Sequence, residues 1–113
     1  MDNLFRDLPA FGAAAEEVSD LLAVPGVRIE RIVSTGQATP AGEWLDQAWD
    51  EWVLLIAGSA TLTILGEGAG ETPCTLTPGD HLAIPAGTRH RVDRTDADRP
   101  TIWLAVHIGE PTR

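Results

Sequence analysis

The sequence contains no lysine and no tyrosine, and only one cysteine among its 113 residues. Without lysine there can be no Schiff-base chemistry and no lysine general base. Without tyrosine, no phenol can serve as an acid or a radical carrier. The single cysteine, Cys74, cannot form a disulfide within the chain, and a cluster of thiolate metal ligands is excluded.

Positive charge is also scarce. Seventeen acidic residues stand against eight basic ones, all of them arginine, which gives a formal net charge of −9. A negative field repels phosphate backbones, so we expect no nucleic-acid partner. Residues 1–5 show no basic region followed by an apolar run, and no apolar stretch is long enough to span a membrane. We therefore expect a cytoplasmic protein that is not inserted in a membrane.

The length fits one domain, which we place at residues 1–113, and a hydrophobic fraction of 43% is enough for one core. Residues 1–11 are expected to form an irregular arm. Ala14, Val18, Leu21 and Leu22 have helical spacing, which predicts a short helix over residues 12–23 that ends before Pro25-Gly26. The arm and helix together make up residues 1–26.

At residue 27 the spacing of the hydrophobic residues changes from helical to a period of two, and we assign residues 27–110 to the β-barrel. Val27, Ile29 and Val33 alternate with Arg28 and Glu30, as in a half-buried strand with a polar outer face. Further strands are predicted at residues 52–57, 61–64, 72–76, 81–84, 89–95 and 101–108, with a hairpin loop at 66–70. Short strands with glycine and proline about every ten residues predict an all-β antiparallel barrel or sandwich.

One stretch carries four residues at a characteristic spacing, namely Gly79, Pro85, Gly87 and His90. The glycines permit tight turns, the proline ends a strand, and the histidine opens the next strand pointing into the barrel. This spacing resembles the second motif of the cupin family, except that Arg94 stands where the family has asparagine. The resemblance implies a small antiparallel jelly-roll barrel built around one pocket.

A second stretch matches half of the first cupin motif. Glu51 is followed after six residues by Gly58, as in the family. The two histidines that precede the glutamate in cupins fall on Leu45 and Gln47, or on the residues just before them. The family's usual site holds a metal with three histidines and one glutamate, so two of the four ligands are replaced. Residues 43–53 also resemble a subgroup of small bacterial cupins, for which the resemblance implies no particular reaction.

The resemblance implies a metal site at the positions that survive. We predict a divalent cation (zinc, nickel, manganese or iron) bound by Glu51, His90 and Gln47, with Asp46 or His107 as a fourth ligand. Each of these three residues also has a simpler interpretation. His90 could be a core histidine, Glu51 could mark the solvated start of a strand, and Gln47 could be an exposed loop residue. If no metal binds, we expect Glu51 and His90 to hydrogen-bond directly and to act as a catalytic acid/base pair.

Alternation along the strands places other side chains. Val53, Leu55 and Val92 are predicted to line the pocket beside the glutamate and the histidine. Of the neighbouring residues 46 and 47, one should face in and the other out. We expect His107 at the surface or in an interface, and His81 exposed.

Two functions remain open. The first is a divalent-metal-dependent small-molecule enzyme of the Lewis-acid type, such as an isomerase, since the cupin family includes isomerases, dioxygenases and decarboxylases. The second is a non-catalytic binding or sensor module for a small organic molecule. In either case we expect a homodimer, because a small domain with four tryptophans gains buried surface by pairing.

Overall fold

The computed structural model describes residues 1–66 and 70–110. Within them the chain forms antiparallel strands and no α-helix, so the predicted all-β antiparallel fold is confirmed. One sheet has five strands in the order β1-β2-β8-β3-β6, and the other has three in the order β5-β4-β7. The strands are β1 (Glu17–Val24), β2 (Val27–Ser34), β3 (Asp50–Ala57), β4 (Ala60–Gly66), β5 (Gly70–Leu76), β6 (His81–Ile84), β7 (Arg89–Thr95) and β8 (Thr101–Ile108).

The predicted helix over residues 12–23 is wrong. Most of that segment forms β1, which pairs antiparallel with β2 through a tight hairpin. Gly26 closes the hairpin with φ of 78°, a conformation that glycine adopts without steric cost. Val18 and Leu21, which suggested a helix by their spacing, are 52% and 47% exposed, so the helical pattern does not correspond to a buried face. Pairing with β2 determines the conformation of this segment.

The hydrophobic core lies between the two sheets. On β8 the alternate residues Trp103, Ala105 and His107 are all buried. Leu55 of β3 is fully buried in the same core. The core cluster consists of Val53, Leu55, Ala60, Leu62, Leu76, Ile84, Trp103 and Ala105.

The turn between β3 and β4 brings the backbone unusually close to β8. Gly58 has φ of 84°, and a Cβ atom placed on it would lie 2.7 Å from Cα of Thr101. Such a contact is sterically forbidden, so only glycine fits this turn. The turn therefore fixes where β3 ends and keeps Glu51 at the opposite end of the strand.

Two further predictions concern the hairpin loop after β4 and membrane-spanning segments. β4 ends at Gly66 and β5 begins at Gly70, so the predicted hairpin loop falls largely on residues 67–69, which lie outside the described residues. In the part of the chain that the structure describes, no helix has the length and hydropathy needed to cross a membrane.

Candidate functional site

A cavity of about 240 Å³ lies between the two sheets, and we call it the central cavity. It brings together the four residues predicted for the metal site. Its polar lining consists of Glu16, Glu30, Asp46, Gln47, Glu51, His90 and His107. Its apolar lining consists of Ile32, Leu45, Val53, Leu62, Ile84, Val92 and Trp103. Val53 and Val92 thus line the cavity as predicted, whereas Leu55 packs in the core instead.

A larger hollow of about 540 Å³ adjoins the central cavity and shares Glu16, Leu45 and Val92 with it. The described residues that line this hollow carry no histidine, and their only carboxylates are Glu16 and Glu43. The larger hollow therefore has fewer titratable side chains than the central cavity. The side chains that could act on a ligand are concentrated in the central cavity.

Glu51 on β3 and His90 on β7 face each other across the central cavity. Their side chains are 10% and 5% exposed, and Oε1 of Glu51 lies 4.0 Å from Nε2 of His90. Nδ1 of His90 lies 3.0 Å from the carbonyl oxygen of Thr88. Since a carbonyl can only accept, Nδ1 carries the proton, so in the neutral form of the ring Nε2 presents its lone pair to the carboxylate. At 4.0 Å the two groups are too far apart for a hydrogen bond.

The loop before β3 is tied to β7 and places Gln47 beside Glu51. Leu45 and His90 exchange two backbone hydrogen bonds, of 2.7 and 3.0 Å, and the amide of Gly87 donates to the carbonyl of Gln47 at 2.8 Å. Nε2 of Gln47 then donates to Oε1 of Glu51 at 2.7 Å. Asp46 is exposed and nevertheless lines the cavity, so residues 46 and 47 both contribute to it rather than facing in and out.

His107 is buried, with 5% of its surface exposed, so the expectation of a surface or interface position is wrong. Nε1 of Trp49 donates to its Nδ1 at 2.8 Å, and its Nε2 lies 2.8 Å from Oε1 of Glu30. An indole N–H can only donate, so Nδ1 is unprotonated and Nε2–H donates to the carboxylate. Both ring nitrogens are engaged, which leaves His107 without a lone pair for a metal. His81 is exposed, as predicted.

Glu30 is the site residue that the sequence did not reveal. It forms a buried ion pair with Arg28, which also bonds Glu110 at 3.0 Å. Burial raises the pKa of Glu30, but the hydrogen bond to His107 and the charge of Arg28 lower it by more, so the pKa lies below its ordinary range. The alternation of Arg28 and Glu30 is the usual pattern of a solvated face, so the sequence carries no signal for this burial.

The donor set can be compared with what a metal ion requires. Among residues 1–66 and 70–110, no three His, Cys, Asp or Glu side chains are arranged to hold a metal. Glu51 and His90 supply two donors, and the carbonyl oxygen of Gln47 is a third of another kind. Two atoms bound to one divalent ion at about 2.1 Å each lie at most about 4.2 Å apart. The 4.0 Å gap between Glu51 and His90 is within that limit, so both atoms can reach one cation.

The family model described as the cupin domain matches residues 32–107 of the chain. The chain is a cupin. The match runs from the last residues of β2 through β8 and includes Glu51, His90 and His107. The resemblance inferred from the two motifs is therefore confirmed.

Solved structures agree with this assignment. This cupin is 47% identical to a protein of Ralstonia eutropha JMP134 named "putative mannose-6-phosphate isomerase", with 96% of each chain covered and a TM-score of 0.88. It is 19% identical to TT1209 from Thermus thermophilus, with 98% of each chain covered and a TM-score of 0.75. It is 12% identical to Fe(II)-HppE, with 80% of this chain and 48% of that chain covered and a TM-score of 0.64. The last two show the shared fold alone. No curated protein matches the chain.

Proposed function

We propose that this cupin is a divalent-metal-dependent enzyme that acts on a small organic molecule in the central cavity, with Lewis-acid chemistry of the isomerase type. The observation that carries the proposal is the pair of acceptor atoms, Oε1 of Glu51 and Nε2 of His90, which face each other at 4.0 Å.

Two acceptors that face each other repel unless something positive or proton-bearing lies between them. Direct hydrogen bonding between the two side chains, expected for a site without metal, is not what the structure has. Arg28 cannot neutralise the pair, because its guanidinium is bound to Glu30 and Glu110. A cation between Glu51 and His90 removes the repulsion.

Four side chains would hold this cation. Glu51 and His90 bind directly, Gln47 offers its carbonyl oxygen once its amide has turned, and Asp46 is the remaining carboxylate. This mixed nitrogen and oxygen set suits zinc, nickel, manganese or iron. When bound, such an ion polarises carbonyl or hydroxyl oxygens of a substrate.

The rest of the cavity orients and encloses the ligand. Until its amide turns towards a cation, Gln47 holds the Glu51 carboxylate in place through its 2.7 Å hydrogen bond, and the Thr88 carbonyl fixes the ring of His90. The apolar side chains of Val53 and Trp103 exclude water from the inner wall. The name of the Ralstonia relative supports isomerase chemistry, and the Fe(II) in the name of the HppE structure supports the use of this fold for metal binding.

A second candidate function is a binding or sensor module without turnover. The observation that favours it is that Glu30 and His107, the other buried titratable groups of the cavity, are both held by partners. If Glu51, His90 and Asp46 hold a cation, the carboxylate of Glu16 is the remaining candidate for a general base. A turnover assay with metal-loaded protein separates the two functions.

Metal uptake tests the proposal. Purified protein is dialysed against Zn²⁺, Ni²⁺, Mn²⁺ or Fe²⁺ and analysed for bound metal, and affinities are measured by calorimetry. We expect about one ion per chain for the wild type and at least tenfold weaker binding for Glu51→Gln and His90→Ala. His81→Ala removes an exposed histidine and serves as the control, with unchanged binding.

No uptake by the wild type at excess metal would contradict the metal proposal and leave the binding module. Equal loss of metal in His81→Ala would show that binding is not specific to the cavity. Circular dichroism of each variant establishes that a loss of binding is not a loss of fold.

A further inference from the structure

We infer that the central cavity selects uncharged molecules that carry hydroxyl groups and rejects their phosphorylated counterparts. The inference rests on the proposed function only for the place where the ligand binds, and it concerns the class of ligand that the cavity accepts before a cation is bound. It departs from the phosphorylated sugar in the name of the Ralstonia relative.

The polar atoms that remain available in the cavity are acceptors. In the cavity without a bound cation, Glu51 presents a carboxylate, His90 presents the lone pair of Nε2, and the amide oxygen of Gln47 is not used in its bond to Glu51. The principal donors are already engaged, because His107 donates to Glu30 and the indole of Trp103 donates to Ser34 at 3.2 Å. An acceptor lining is complementary to hydroxyl groups, which donate, and not to phosphate oxygens, which accept.

The charge of the lining also disfavours a phosphorylated ligand. Four carboxylates line the central cavity, and none of the arginines in the described residues does so. Proteins commonly bind phosphate with arginine, lysine or a helix N-terminus, and this cupin has no lysine and no helix among its described residues.

Two arginines that contact or adjoin cavity-lining residues are already bound to other groups. Arg28 is bound to Glu30 and Glu110. Arg91 stacks on the ring of Trp44 at 4.5 Å and bonds Asp93 at 2.8 Å, outside the central cavity. Recruiting either one to a phosphate would leave a carboxylate without its partner, and for Arg28 that carboxylate is buried.

The approach to the cavity adds to the selection. Glu16 lines both the central cavity and the larger hollow, and Glu43 lines the larger hollow, so a ligand that enters through the larger hollow meets these carboxylates before it reaches Glu51. The cavity of about 240 Å³ is smaller than the ~300 Å³ at the lower end of typical ligand pockets. A compact uncharged ligand is not repelled by the carboxylates and is small enough for the cavity.

Matched pairs of compounds test the inference. Calorimetry and thermal unfolding are measured on metal-free protein with D-mannose and D-mannose 6-phosphate, and with glycerol and glycerol 3-phosphate, at low and at high salt. We expect the unphosphorylated member of at least one pair to bind, with its phosphorylated partner at least tenfold weaker. High salt should narrow the difference, because it screens the carboxylates.

A charge variant locates the selection. Glu16→Gln keeps a polar side chain beside Ser34 and removes one negative charge from the approach, so binding of the phosphorylated compound should strengthen about twofold or more relative to its partner. Asp98→Asn makes the same change in net charge in the exposed turn before β8 and should leave the ratio unchanged.

The inference is overturned if a phosphorylated compound binds as tightly as its partner or more tightly, or if no compound of either kind binds. These results are distinct from a failure of the proposed function. Selective binding of an unphosphorylated compound without turnover would support the inference while favouring the binding module over the enzyme.

Discussion

At the residue scale, the two buried histidines of the cavity hold opposite tautomers, and each is fixed by a neighbour that can act in only one way. The Thr88 carbonyl accepts from Nδ1 of His90, and the Trp49 indole donates to Nδ1 of His107. His90 therefore offers a lone pair to the cavity, whereas His107 gives its proton to Glu30. One histidine is free for a ligand and the other serves to position a buried carboxylate.

The buried Glu30 predicts how stability depends on pH. Burial raises its pKa, but His107 and Arg28 lower the pKa further, to below the ordinary value of 4.5. Ionised Glu30 therefore stabilises the fold above that value, and the contribution is lost as the pH falls through the lowered pKa. Glu30→Gln should cost about 1–3 kcal/mol at pH 7, and the difference from wild type should shrink towards pH 3.

Urea unfolding at several pH values measures this difference. Hydrogen bonds from Thr63 and from the Asp98 amide lower the pKa values of Asp93 and Asp96, respectively, but both residues are present in both proteins and cancel in the comparison. Glu43→Gln, at an exposed position, is the control and should leave the pH profile unchanged. A difference between wild type and Glu30→Gln that stays constant from pH 7 to pH 3 would show that Glu30 is not ionised in the fold.

At the scale of elements, the helical spacing of the apolar residues in β1 disagrees with its pairing as a strand. The spacing of its apolar residues satisfies a helix, yet the segment forms the end strand of the five-stranded sheet. Val18, Leu21, Leu22 and Val24 are each about half exposed there. A strand whose outer edge has no strand partner in the described residues, and whose apolar side chains meet solvent, is a template for pairing with another chain.

We propose that β1 forms the interface of the homodimer expected from the sequence. The exposed Phe5 and Phe11 of the N-terminal arm add to its apolar surface. Light scattering at micromolar concentration should give twice the chain mass of 12.1 kDa. Leu22→Glu should shift the protein to monomer, whereas Thr72→Glu on β5, at the edge of the other sheet, should not. A wild-type protein that is monomeric under these conditions would contradict the proposal.

At the scale of the whole molecule, period-two alternation and glycine and proline punctuation were sufficient to predict seven of the strands, from β2 to β8. The motif residues Glu51 and His90 were sufficient to locate the cavity. The positions of Glu30, His107 and Trp49 could not be predicted, because their roles arise from strand order. β8 lies between β2 and β3, and that arrangement, which no local spacing encodes, sets His107 between Glu30 and Trp49.

The central claim is that His90 offers an unprotonated Nε2 to a cation shared with Glu51. Nitrogen-15 NMR of the imidazole rings tests it most directly, since the chain has only three histidines and each can be assigned by substitution. We predict an Nδ1–H tautomer for His90 and an Nε2–H tautomer for His107, and a shift of Nε2 of His90 alone when Zn²⁺ is added. A protonated Nε2 on His90 that does not respond to any divalent cation would contradict the account.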